Sequence, residues 1–187
     1  MQYLRAGLFA LLAVLTFGAN ADNLDVNLGS NAAMVSYSAN LTNSGLEGSL
    51  GYLHHTDSVD IGSVGLGLVG NASPVGSPLL FGVGGKALFI SPKYGSENGV
   101  AIGLGAHFHY VWPSYNRFAI GGELYYAPSI VSFNHADRYL EFGVRAGYSV
   151  LRNAEIYVGY RHVSAAFTNT SNVTLDNTFM AGLTLTF

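Results

Sequence analysis

Cysteine is absent from the 187-residue chain, which excludes a disulfide framework and any thiolate metal site. Stability therefore has to come from main-chain pairing and packing. Charge is scarce as well: 10% of residues are Asp, Glu, Lys or Arg, with eight basic against eleven acidic side chains and no basic run. That lacks the electrostatic footprint that nucleic acid requires, so nucleic acid is excluded as a partner. Helical stripes are hard to find. No apolar stretch reaches the ~20 residues that a membrane-spanning helix needs. The length suits one domain, and it is enough for a closed sheet of eight or more strands.

What is present begins with a leader. Arg5 gives a short positive segment, Leu8 to Phe17 an apolar core, and Ala19-Asn20-Ala21 a small-residue cut site. This predicts a signal peptide over residues 1–21 and a mature domain over 22–187. The apolar run is too short for a transmembrane anchor. Removing Arg5 with the leader leaves seven basic against eleven acidic side chains.

From Asp22 onward the dominant period is two, the period of a strand with two unlike faces. Between Gly99 and Trp112, Val100, Ile102, Leu104, Ala106, Phe108 and Tyr110 share one face, and Ala101, Gly103, Gly105, His107 and His109 the other. The same alternation sets Leu140, Phe142, Val144, Tyr148 and Val150 against Glu141, Gly143, Arg145, Gly147 and Ser149. It sets Phe179, Ala181, Leu183, Leu185 and Phe187 against Thr178, Met180, Gly182, Thr184 and Thr186. Further strands are expected near 32–39, 47–55, 59–70, 79–90, 118–127 and 154–163, with a short one at 24–28. Clusters of turn residues separate them, including Pro128 to Asp137 and Thr168 to Asp176, both expected as outer loops.

Runs of about ten alternating residues between turns are the signature of a membrane barrel. A soluble β-sandwich also alternates. The barrel is favoured by small and charged residues opposite the apolar face, and by aromatic residues at strand ends, where they would meet the headgroups. The expected fold is all-β: a small antiparallel transmembrane barrel of eight to ten strands. Ten follows if 24–28 is a strand, because both termini in the periplasm require an even number.

The chain ends on Phe187 after alternating apolar residues, which resembles the signal that hands outer-membrane proteins to the barrel assembly machinery. The stretch Gly121 to Phe167 resembles the YfaZ family of Gram-negative outer-membrane proteins. The likeness is most specific over Glu141 to Arg161, with the turn Leu151-Arg152-Asn153-Ala154. It extends to Val83-Gly84-Gly85-Lys86-Ala87 and the terminal strand, while the part through Asp60 matches only by pattern. The resemblance implies an outer-membrane barrel, sometimes described as porin-like.

Alternation places Lys86, Glu123, Glu141, Arg145, Glu155 and Arg161 inside the barrel. Opposite charges on adjacent strands would pair there, either as a plug of ion pairs or as a charged constriction that selects permeants. His107 and His109 sit two apart on the inward face, but no third metal ligand lies nearby in sequence, so no metal and no cofactor are expected. Gly65-Leu66-Gly67-Leu68-Val69-Gly70 matches a dinucleotide fingerprint in letters, yet turn residues follow where the phosphate-binding helix must start. A hydrolytic alternative rests on His162, Ser164 and Asp176. The first two share the outward face of one strand and the third stands near the end of the next, similar to the His-x-Ser arrangement of outer-membrane lipid A deacylases. Ala165 departs from that pattern, replacing the asparagine expected after the serine and removing an oxyanion donor. The expected partners are outer-membrane lipids and lipopolysaccharide, the assembly machinery and small solutes.

Overall fold

The computed structural model describes residues 22–72, 78–93, 98–167 and 170–187. The expected signal peptide lies outside the described residues. Eleven strands follow one another: β1 Asn23–Gly29, β2 Ala32–Asn40, β3 Leu46–His55, β4 Val59–Asn71, β5 Leu79–Pro92, β6 Gly99–Val111, β7 Phe118–Ala127, β8 Ser132–Phe133, β9 Ala136–Leu151, β10 Ala154–Phe167 and β11 Thr170–Thr186. Each long strand pairs antiparallel with its sequence neighbours, and β1 pairs with β11 from Asn23↔Thr186 to Gly29↔Met180. That last ladder closes the sheet into a ten-stranded barrel. Closure extends to the ends, where the Asp22 and Phe187 main chains exchange hydrogen bonds of 3.3 and 2.9 Å.

The short strand near 24–28, which decides parity, is β1. With ten staves both termini lie at one end of the barrel, here called the terminal end. The two-residue β8 continues the β7 stave: β6 pairs Leu104 with Tyr126 and then, three residues out of step, Ala101 with Ser132. Pro128 has no N–H for the ladder, and a 3-10 turn over Ser129–Val131 absorbs the extra residues. Asn134 and His135, at φ 51° and 71°, then turn the chain into β9. Two consecutive left-handed residues are what a tight hairpin between right-twisted strands requires, and asparagine tolerates that region better than most.

Two expected loops are shorter than their composition suggests. β9 begins at Ala136 and β11 at Thr170, so most of Thr168 to Asp176 is strand. Polar residues there report exposure to water beyond the apolar belt, which is compatible with main-chain pairing. The β10–β11 ladder shifts where Val163 faces Asp176 and Ser164 faces Thr174, and again between Ala165 and Phe167. Leu175 is the extra residue of the first bulge, and both Leu175 and Asp176 are buried.

The outer face is apolar and open: Leu104 and Val158 are each 65% exposed, as suits side chains solvated by lipid. At the terminal end Trp112, Tyr115, Phe118 and Tyr148 gather, with Phe118 edge-on to Tyr148 at 5.1 Å. Inside, Leu53, Val59, Ile61, Leu88, Ile90, Ala101, Tyr139, Val163, Ala165, Phe167 and Leu175 form one apolar cluster at the end opposite the termini.

Glycines oppose the long luminal side chains with a regularity that register explains. Tyr157 is paired with Gly182, Tyr125 with Gly105, His107 with Gly82, Glu123 with Gly143 and Arg145 with Gly121. In each pair the side chain lies over its glycine, in the space a Cβ would fill. Gly182→Val should therefore push Tyr157 off the wall and lower stability by about 1–3 kcal/mol. Gly70→Val, where a Cβ meets nothing within 4 Å, should stay within about 0.5 kcal/mol. Urea unfolding of the protein in lipid vesicles checks both.

Candidate functional site

The charged residues collect in the lumen in three groups. Lys86 on β5 extends its Nζ to Glu123 Oε2 at 3.3 Å and Glu141 Oε1 at 3.4 Å, and it lies 3.8 Å over the Tyr125 ring. Tyr139 donates to Glu141 Oε2 at 3.1 Å, so both oxygens of that buried carboxylate are bonded. Lys86 is thus shared by carboxylates from two strands. Charged hydrogen bonds of this kind are stronger than neutral ones.

A second group is built on Asp25. Arg145 Nη1 donates to its Oδ2 at 3.1 Å, and the hydroxyls of Thr184 and Tyr157 donate to Oδ2 and Oδ1 at 2.7 Å each. The Arg145 guanidinium also lies 5.1 Å over the Tyr157 ring. Sequence reasoning missed Asp25 because its strand is short. The alternation Leu24, Val26, Leu28 against Asp25, Asn27 was the available signal.

The third group is the most deeply buried. Arg161 Nε donates to Asp176 Oδ2 at 2.7 Å, and Arg161 Nη1 donates to Asn27 Oδ1 at 2.9 Å. The two charged side chains are 1% and 0% exposed, and each keeps one atom without a partner, Arg161 Nη2 and Asp176 Oδ1. Glu155 pairs with His109 at 3.2 Å, and His107 reaches the Tyr125 hydroxyl at 3.4 Å. Glu47, on the inward face of β3, has no ion pair within 4 Å among the described residues.

All six charged residues read from the sequence, Lys86, Glu123, Glu141, Arg145, Glu155 and Arg161, lie in the lumen. Glu141 and Arg145, four apart on β9, take different partners. The hydrolytic arrangement does not assemble. Alternation sets His162 and Ser164 on the opposite side of β10 from Arg161, with Ser164 buried at 7% exposure, and Asp176 is inside the barrel and bound to Arg161, so the orienting acid is missing from their side. The assignment of Asp176 to a loop end concealed this. Continuing the inward positions Met180 and Thr178 by one more step reaches it. His162 and Ser164 share no hydrogen bond among the described residues. No group of three or more His, Asp or Glu side chains with metal-binding geometry occurs among the described residues.

Removing one member of a buried ion pair leaves an uncompensated charge, a loss of about 3–5 kcal/mol. Arg161→Ala and Asp176→Ala should each destabilise the barrel on that scale. The double change Arg161→Met with Asp176→Leu should restore most of the loss, as read from unfolding midpoints in vesicles.

The profile of the family described as "YfaZ precursor" matches residues 1–187. Outer membrane protein YfaZ of Escherichia coli (strain K12) is 33% identical over 159 residues, which cover 85% of this chain and 83% of that protein. Among solved structures, the KdgM porin aligns with 89% of this chain and 99% of its own, at 12% identity and a TM-score of 0.47. The NanC porin aligns over the same shares at 10% identity and a TM-score of 0.46. A whole-length family match and a relative above 30% identity, on a closed barrel with an apolar exterior, lead to one conclusion: the chain belongs to the YfaZ family of outer-membrane β-barrel proteins.

Proposed function

We propose that the protein is a non-enzymatic outer-membrane barrel with a structural or porin-like role, whose narrow lumen is largely plugged. The observation that carries this reading is the interior of the barrel half opposite the termini. There the apolar cluster around Leu88, Ile90, Val59 and Ala101, each 0–1% exposed, lies beyond the Lys86 and Arg161 groups and supports a lumen filled by side chains. A barrel of this strand number has an interior that side chains can fill. Small solutes then pass slowly or only when this layer shifts.

The exterior fits outer-membrane lipids and lipopolysaccharide as the surrounding partners, since its exposed side chains are mainly apolar between aromatic ends. Phe187, 60% exposed at the end of the closing stave, would present the assembly signal to the machinery that inserts such barrels.

In planar bilayers the native protein should give little steady conductance, and Leu88→Ala with Ile90→Ala should raise it severalfold by opening the apolar layer. Large open-pore steps from the native chain would refute the plug. Phe187→Ser should lower the fraction of heat-modifiable, membrane-assembled protein more than Ser171→Ala does. Equal assembly would remove Phe187 from that role.

A further inference from the structure

We propose that the part of the lumen nearer the termini is a chamber that admits small cations in preference to anions and ends blindly at the apolar layer. The inference rests on the reading of the barrel as closed at the opposite end. Three observations carry it.

The first is a gradient of access. Among the luminal charges, Arg145 and Glu123 are each 31% exposed and His109 27%, whereas Glu141 is 6%, Arg161 1% and Asp176 0%. Asp25 at 15%, Glu155 at 14% and Lys86 at 13% fall between the two sets, and the Arg161–Asp176 pair is the most buried. The exposed set lies on the terminal side: His109 is near the end of β6, and Arg145 is ten residues into the sixteen of β9.

The second is the way the wall is built. Tyr157, Tyr125, His107 and Glu123 lie against glycines of the adjoining strands instead of reaching across the lumen. This keeps their bulk at the wall, while Lys86, Arg145 and His109 extend to Glu141, Asp25 and Glu155 on strands that are not their neighbours. Ser36, Ser38 and Ser49 on β2 and β3 add small residues to the same region.

The third is charge. Among the described residues Asp25, Glu47, Glu123, Glu141, Glu155 and Asp176 face the cations Lys86, Arg145 and Arg161 and the imidazoles of His107 and His109. Arg161 is spent on Asp176 in the sealed part. In the accessible part Lys86 is held by two carboxylates and Arg145 by Asp25, so each fixed cation is already engaged, while Glu47 has no ion pair among the described residues. Low-dielectric walls focus such an imbalance into a potential of up to several kT. One kT is enough to separate monovalent cations from anions by about sevenfold in local concentration. Salt weakens the effect as the screening length shortens.

The absence of cysteine makes this testable without conduction. Ser38→Cys and Ser49→Cys, made singly, place a thiol in the chamber, and Ser44→Cys places one on the exposed connection after β2. Each is reacted in vesicles with a cationic and an anionic methanethiosulfonate of similar size. The thiolate displaces sulfinate from the reagent and forms a mixed disulfide. Relative to Ser44→Cys, the chamber thiols should favour the cationic reagent by about fivefold or more at low salt. Adding Glu47→Gln and Glu155→Gln, with barrel assembly verified by heat-modifiable migration, should reduce that preference toward the rim value. A chamber ratio equal to the rim ratio would overturn the selectivity, and chamber thiols inert to both reagents would overturn the chamber itself. Neither result touches the closed-barrel reading, which fails instead if the native chain shows large conductance while the labelling preference persists.

Discussion

In hydrocarbon a main-chain N–H or C=O has no water to turn to, and each one left unpaired costs several kcal/mol. Every other feature of this molecule depends on meeting that constraint with strands alone. The decisive contact is the ladder between β1 and β11, which joins the shortest of the ten main staves to the longest strand. Without it the sheet would offer two raw edges to lipid. With it the chain needs no long helix, disulfide or large soluble core, and its apolar side chains can be turned outward.

Turning the apolar side chains outward leaves the polar ones to fill a narrow interior. The chain handles this by setting a glycine opposite most long luminal side chains, so that aromatic rings and carboxylates lie along the wall. Glycine here is a complement to its cross-strand partner as much as a source of backbone freedom. The same arrangement brings Arg145 over Tyr157 and Lys86 over Tyr125, so that each cation meets a ring face as well as a carboxylate.

The interior is divided along its axis. Nearer the termini it carries Asp25, Arg145, Glu155 and His109. Beyond Lys86 and Arg161 it becomes an apolar cluster drawn from eight strands. The Arg161–Asp176 pair stands at the boundary, where burial makes an ion pair costly to break and of little net benefit to make. Its retention there fits a role in fixing the position of β11 around the bulge, because Leu175 is the residue that the bulge turns inward beside Asp176.

Much of this was legible before folding. Alternation with period two, in which Leu104 opposes Gly105 and Phe142 opposes Glu141, determined most of the strands, the two faces and six of the inward charges, though not Asp25 or Asp176, because side chains on a strand point alternately to either side. The likeness of Glu141 to Arg161 to a known family determined the membrane. What alternation cannot carry is register between strands, and register alone decided the partners: Glu141 with Lys86 and Tyr139, Arg145 with Asp25, Arg161 with Asp176. It also decided that Leu175 and Val173 face the inner cluster, since one bulged residue exchanges the faces of the residues beyond it. The ends of β9 and β11 escaped for a related reason. Polar composition reports contact with water, whereas strand extent depends on whether a neighbouring main chain is there to pair, and only the closed barrel supplies that neighbour.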